Sequence, residues 1–409
     1  MDSRVYWIWL QRALPLGWKN TASLLDTFGH AAGVYEAEEK ALRQAGIGGA
    51  MLSRLTDKDL TAARRILNRV LESGDWVLTP EDALYPVSLR RLASLPVALY
   101  CRGVLPDLDT HPAVTVVGTR RATASGRQEA RALAAGLAAG GMVVVSGCAV
   151  GIDAAVHEGA LLGQGITIAV LACPLNVDYP APNAALRQQM VASGGLLISE
   201  YPPDEPYKCD FHVRNRLLAG LSHGVCLAET PARSGARITA RLAAEYGRDV
   251  YAMPGSLSGR HNDGAHKEIQ KGATLVIRAT DILLDYEPQF PSMLRMEEAE
   301  EVQKRVEKQA IDDPAPSRKE KKPRRPRRQK GETQLPVPPA TPIEVTAECP
   351  SEVSSEARQV FEVLTAQPRP VDELALQAAL PIPTVLAALT ELEMFGCAAN
   401  SAGQQYRRV

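Results

Sequence analysis

Four short loops carry the residues of this chain best suited to chemistry. They are Gly118-Thr119-Arg120-Arg121, Ser146-Gly147-Cys148-Ala149-Val150-Gly151, Glu200-Tyr201-Pro202-Pro203 leading to Arg214-Asn215-Arg216, and Pro231-Ala232-Arg233-Ser234-Gly235. Each stretch follows an apolar run and leads into a helical one. Small residues that open a helix leave backbone amides facing outward, and those amides attract anions. An arginine adds a fixed cation whose planar fork suits phosphate. The chemistry is therefore binding of a polyanion. Gly118, Thr119 and Arg120 form the first candidate phosphate loop, with Arg120 as its principal cation. The alternative for Arg120 is a surface ion pair with Glu229 or Glu200. Ser146 and Gly147 give an unobstructed second loop, and Asp153 reads as a cap of the helix after it. Arg214, Asn215 and Arg216 open a third helix. Two arginines two apart project to different sides, so one is expected in the crevice and the other in packing. Ser234 and Gly235 begin a fourth helix. Phe211, Tyr179 and Tyr201 lie near these loops and are candidate stacking platforms for bases.

No catalytic set accompanies these loops. Gly118 is not followed by the G-x-G-x-x-G spacing of a dinucleotide site, and the second strand ends in Ser146-Gly147 where such a site offers an acid to the ribose. The chain has no Gly-Lys-Ser/Thr string and hence no P-loop. His157-Glu158-Gly159 lacks a second histidine at helical spacing, so it is not a zinc motif. His212 and His223 read as structural. No metal and no cofactor is expected.

The elements that position the loops alternate. Strands are predicted at Val114–Val117, Met142–Ser146, Thr167–Leu171, Leu196–Ser199, Val225–Glu229, Val250–Met253 and Thr274–Ile277. They are continuous apolar runs, as expected when helices cover both faces of a sheet. Helices are predicted at Ser125–Ala139, Asp153–Leu162, Ala184–Val191, Ile238–Tyr246 and His266–Lys271. The alternation specifies an α/β fold with a doubly wound parallel sheet. In such a sheet every loop named above lies at the strands' carboxyl ends, in one crevice.

Four segments follow from composition. Residues 1–75 read as short helices. Gly46-Ile47-Gly48, between helical patterns at Glu38–Ala45 and Gly49–Leu55, resembles a helix-hairpin-helix (or SAM-like) turn, the alternative being simple C-caps. Residues 76–286 hold the sheet, after an extended, Pro-punctuated lead-in to residue 112. Residues 287–350 read as a flexible linker with a charged helix-like stretch at Glu297–Gln309, a basic run and a Pro-rich tract. Residues 351–409, three helical patterns and a hairpin, resemble a winged helix.

The chain has 409 residues and a formal net charge of -1, which hides an asymmetry. Arg318–Lys330 is densely basic, so the remainder is mildly acidic and any anion site in it must be local. Seven cysteines without a C-x-x-C pair argue against a disulfide framework or zinc, and point to a reducing cytoplasm. No run approaches a membrane span and no signal pattern is evident.

Val116-Val117-Gly118-Thr119-Arg120, Ser146 to Asp153, His157-Glu158-Gly159-Ala160-Leu161, Ser199 to Pro203, Arg214 to Ser222 and Ser234 to Arg241 together resemble the DNA-processing protein A family (DprA, also called Smf). The resemblance covers the whole central segment and extends to the flanking modules. It implies an extended Rossmann-like domain that binds single-stranded DNA, without enzymatic activity, in a cytoplasmic homodimer. It further implies a role in natural transformation and homologous recombination: protecting incoming strands and helping to load a RecA-type recombinase. Carried over, it assigns Gly118, Thr119 and Arg120 to the phosphate loop and Ser146, Gly147, Asn183, Arg214 and Ser234 to the pocket. One departure stands out. Some members place a lysine after the Tyr-Pro of the third loop, where this chain has Ala181. The competing class is a phosphoribohydrolase of the lysine-decarboxylase-like fold, but Pro231–Thr239 lacks its paired glycines and its catalytic glutamate.

Overall fold

A computed structural model describes residues 2–257, 260–312, 353–365, 367–394, 397–401 and 405–408. The chain divides into two units, Met1–Lys319 and Glu320–Val409.

The first unit is built on nine strands: β1 (Trp76–Leu78), β2 (Leu99–Gly103), β3 (Ala113–Val117), β4 (Val143–Ser146), β5 (Thr167–Leu171), β6 (Leu196–Ser199), β7 (Gly224–Leu227), β8 (Asp249–Ala252) and β9 (Thr274–Leu275). Their spatial order is β1-β2-β6-β5-β4-β3-β7-β8-β9. From β3 to β9 all pairings are parallel, while β1 and β2 join antiparallel at the β6 edge. The chain winds outward from β3 through β4 and β5 to β6, then returns to place β7 on the other side of β3. The junction of β3 and β7 is the switch point of a doubly wound sheet, where the loops diverge and leave a crevice.

The alternation of side chains across β3, β4 and β7 accounts for both layers. Val114, Val116, Val144 and Cys226 face one core with the helices Ala124–Ala139, Ile152–Leu162 and Ala279–Tyr286. Ala113, Val117, Val143, Val145, Val225 and Leu227 face the other, shared with the helices Phe211–Gly220 and Ala236–Glu245 and with the N-terminal helices. Those N-terminal helices number six, from Arg4–Ala13 to Thr61–Glu72. Gly46-Ile47-Gly48 turns between Glu39–Gln44 and Gly49–Thr56, and Ile47 is buried.

Two expectations need correction. The segment 76–112 is not merely an extended lead-in, because Val77, Leu78, Leu99 and Tyr100 are buried in strands that widen the sheet. The start of the expected linker is also not free. Met296–Asp312 is a helix that packs on Ala124–Ala139, burying Ala299 and Val306. The basic run Arg318–Lys330 and the Pro-rich tract lie outside the described residues.

The second unit has helices Ser355–Val363, Val371–Ala378 and Ile382–Met394 and three strands, β10 (Arg369–Pro370), β11 (Ala398–Ser401) and β12 (Gln405–Arg408). The strand order is β10-β12-β11, antiparallel. Val360, Phe361, Leu374, Val385, Leu389 and Leu392 form its own core. This is a winged-helix arrangement.

Candidate nucleic-acid interface

A cleft of roughly 300 Å³ opens at the β3–β7 switch point. Its lining includes Gly118, Thr119, Arg120, Arg121, Ala149, Asp153, Phe211, Arg214, Asn215, Arg233, Ser234 and Gly235. Three of the four loops therefore meet there, together with the helix that follows the remaining one.

The loop amides contribute less than expected. Thr119 N–H donates to the Glu229 carbonyl (2.8 Å) and Ile152 N–H to the Thr119 carbonyl (3.2 Å). Arg121 N–H donates to Thr119 Oγ1 (3.2 Å), Ala236 N–H to Ser234 Oγ (3.3 Å) and Ala149 N–H to an Asp153 carboxylate oxygen (3.3 Å). Amides engaged in this way hold the loops together and are not open to a ligand. The glycines have a corresponding role. A Cβ on Gly118 would lie 2.6 Å from Ile152 Cγ1 and 2.8 Å from the Glu229 carbonyl, and one on Gly147 would lie 2.3 Å from Arg214 Nη1. Both are required by protein packing, a different reason from the close ligand approach expected for Gly118.

Side-chain cations supply the attraction instead. Arg120, Arg121 and Arg233 are exposed, and among the described residues none of the three is in a salt bridge. The carboxylates weighed as partners for Arg120 are committed elsewhere. Glu229 accepts from the backbone and hydroxyl of Thr123, and Glu200 pairs with Arg216. The Arg120 guanidinium lies 4.0 Å from the centre of the Phe211 ring, a cation–π stack that holds its fork at the cleft mouth.

Arg214 forms the cleft floor. It is buried, and its Nη1 donates to the carbonyls of Gly147 (2.8 Å) and Val170. Burial lowers its affinity for the proton, and the Asp153 charge opposes that shift. Arginine nevertheless stays charged in proteins. Asp153 is also buried, and desolvation pushes its carboxyl above the ordinary range against the pull of Arg214. It is not the cap expected, since Gly151 holds the cap position and Asp153 lies inside the first turn; instead it ties the second loop and contributes a buried negative charge to the cleft wall.

A smaller depression of roughly 70 Å³ adjoins the cleft, lined by Gly147, Ala149, Val150, Leu171, Tyr179 and Phe211 among others, and it shares Arg120 with the cleft. Tyr179 is 42% exposed, and its ring stands 6.3 Å from that of Phe211. The pair offers flat apolar surface beside the cations.

Several expected site residues lie elsewhere. Ser146 is buried and donates its hydroxyl to the Val116 carbonyl (2.7 Å). Asn183 is buried and donates to the Cys148 and Ala149 carbonyls (2.9 and 3.1 Å), so it shapes the second loop from behind. Arg216 points away from the cleft into a buried pair with Glu200. Tyr201 is buried, with its hydroxyl accepting from Asp210 N–H (3.0 Å), and offers no stacking face. His157 is buried against Thr167, as a structural histidine. Asn215, by contrast, does line the cleft, where it reaches the Gly235 carbonyl at 3.4 Å and joins the third and fourth loops. Among the described residues no group of His, Cys, Asp and Glu is placed to hold a metal ion, and no helix is long and apolar enough to cross a membrane.

The family described as DNA recombination-mediator protein A matches residues 76–287, and the DprA winged-helix domain matches residues 340–404. The chain belongs to the DNA recombination-mediator protein A family. It is similar to the DNA processing protein DprA of Streptococcus pneumoniae, 44% identical over 207 residues covering 50% of this chain and 72% of that one. Protein Smf of Synechocystis is 28% identical over 415 residues, 100% of this chain and 99% of that one. The X-ray structure of the Streptococcus pneumoniae protein superposes with a TM-score of 0.59 at 33% identity, over 68% of this chain and 97% of that chain. The matched span contains the whole cleft, so the geometry above belongs to the part of the chain that carries the family relationship. Arg121 and Arg233 line the cleft but were not singled out from sequence. Their signal was available: Arg233 follows β7 much as Arg120 follows β3.

Proposed function

We propose that this chain is a non-enzymatic single-stranded DNA-binding protein that engages the strand at the β3–β7 cleft. The observation that carries this reading is the placement of Arg120, Arg121 and Arg233 around one crevice beside the Phe211–Tyr179 surface. Cations grip a phosphate backbone of any sequence, and aromatic faces stack any unpaired base. A duplex hides its bases, so it forfeits the second term. Family membership and the relatives' description as DNA processing proteins support DNA as the polyanion. Gly118, Thr119, Arg120, Gly147, Tyr179, Arg214, Asn215, Ser234 and Gly235 are the proposed site residues that border the two depressions. Ser146, Asn183 and Arg216 support it from within. The same reading takes 1–75, 76–286 and 351–409 as the functional parts of a cytoplasmic homodimer. That dimer would protect incoming strands in natural transformation and help a RecA-type recombinase onto them.

The test is a binding titration of the full chain with single-stranded and duplex DNA across a salt series. Single strands should bind more tightly, with a log–log salt slope of about -0.7 per neutralised phosphate. Equal or tighter duplex binding contradicts the reading. Release of a nucleobase from a nucleoside monophosphate would instead identify a phosphoribohydrolase.

A further inference from the structure

The helix Thr61–Glu72 buries Ala63, Ile66, Leu67 and Val70 and turns the opposite face to solvent. That face presents Arg64, Arg65, Asn68, Arg69 and, at its end, Glu72, at the three- and four-residue steps that place side chains together on a helix. It forms one wall of a groove of roughly 700 Å³ whose other wall is Pro203 and Asp204. Carboxylates of the facing loop occupy two of the arginines. Arg65 pairs with Glu205, Arg69 Nε donates to Asp204 (2.8 Å), and Arg12 stands 3.7 Å from Glu205. The side chains of Arg65, Arg69 and Asp204 are 71%, 50% and 52% exposed, whereas that of Glu205 is 16% exposed and is shared between Arg65 and Arg12. The Arg69–Asp204 pair is open to water on both sides and contributes little, so its arginine can exchange partners. A phosphate offers arginine the same forked geometry as a carboxylate.

A second observation connects this groove to the cleft. Asp204 also accepts from Asn176 Nδ2 (2.7 Å), on the loop that ends in Tyr179. Tyr179 faces Phe211, and Phe211 carries Arg120. Beneath that loop the buried Arg187 donates to the Val177 carbonyl (2.6 Å). One continuous run of contacts therefore leads from Arg120 to Arg69.

We propose that the arginine-lined groove is a second phosphate-backbone site, which receives a single strand leaving the cleft across Phe211 and Tyr179. Asp204 is the resident competitor that the strand displaces, while Glu205 stays with Arg12. The proposal rests on the nucleic-acid reading of the cleft, and it is tested with the full chain and oligothymidylates of about 6 and about 30 nucleotides, within and well beyond the roughly 4–16 nucleotides that one single-strand-binding fold covers. Arg65→Ala with Arg69→Ala should weaken binding of the long strand by about three- to tenfold and flatten its salt slope by about 1.4, two phosphates' worth. Asp204→Asn should tighten it. Binding of the short strand should change in neither variant. If the ion pairs only anchor the loop, both variants will weaken both strands, and the proposal falls. It also falls if the long strand binds both variants as it binds the wild type. Arg120→Ala in the same assay separates the two readings: unchanged short-strand binding there refutes the cleft, whatever the groove does.

Discussion

Arg120 carries the sharpest consequence of the cleft. Both carboxylates that were alternatives for it are engaged by Thr123 and Arg216, and its guanidinium is held over Phe211. Arg120→Ala should cost about 1.5–3 kcal/mol of binding, the range for a charged hydrogen-bonded contact, or roughly ten- to a hundredfold in affinity. The salt slope should become shallower by about 0.7. A titration at two salt concentrations, with a thermal melt as control, checks this; unchanged affinity and slope with an intact melt would remove Arg120 from the site. Asp153 gives a pH dependence whose sign is fixed. Burial raises its folded-state carboxyl, so its favourable contribution belongs to the protonated form and is lost as pH rises through the folded value. A phosphate in the cleft disfavours the ionised form further, so binding takes up a proton and affinity should rise as pH falls from neutral toward the raised value. The other charged groups lining the cleft are arginines, which do not titrate there. Asp153→Asn keeps an oxygen acceptor but removes the charge. It should bind more tightly at neutral pH and lose much of the pH dependence; a variant with the wild-type pH profile would exclude Asp153 as the linked group. Sequence alone revealed which loops hold arginines. It did not reveal where each guanidinium points, because Arg214 and Arg216 differ only in which buried acceptors the tertiary packing brings to them.

At the scale of elements, the strands from β3 to β6 were legible within one residue at each end, because a sheet covered on both faces requires uninterrupted apolar runs. β1 and β2 were not legible. They are short and flanked by prolines, and their strand state comes from pairing on the β6 edge rather than from a local pattern. The helix Met296–Asp312 was recognised by its charge but not by its packing. Its buried stripe is thin, Ala299, Gln303 and Val306, and a polar sequence conceals it. The glycine loops show the same limit: glycine was expected there for the ligand's sake, and the packing supplies a different reason. Gly118→Ala forces a methyl group against Ile152 and the Glu229 carbonyl. Overpacking of this kind costs about 1–3 kcal/mol. Denaturant unfolding should therefore show a clear loss of stability before any DNA is added. If only ligand approach required the glycine, stability would stay at the wild-type level while affinity fell.

At the scale of the whole molecule, the second unit has a core that contains only its own residues, so its contribution can be examined separately. A winged helix that reads DNA places its third helix in the major groove and needs cations there. Here that helix, Ile382–Met394, contains no lysine or arginine. Its Glu391 accepts from the backbone and hydroxyl of Ser354, which fixes the first helix against the third and makes no provision for phosphate. The nearby arginines are largely engaged. Arg369 binds Gln377 and lies 3.5 Å from Glu373, and Arg408 stacks 3.9 Å over Phe361. Arg407 is exposed on β12 and is a single charge. Leu376, Ile382 and Leu386 are exposed on the two later helices, which thus offer apolar rather than cationic side chains there. Residues 351–409 alone should therefore bind duplex only in the non-specific range, with a dissociation constant no tighter than about 10⁻⁶ M at physiological salt. Their removal should leave single-strand affinity of the first unit within about a factor of three, since the cleft and the arginine groove both lie before residue 320. Titrating 351–409 with duplex, and the truncated and full chains with a single strand, tests both statements. Tight duplex binding by the small unit would mean that cations outside its third helix make the contact, with Arg407 the first to replace.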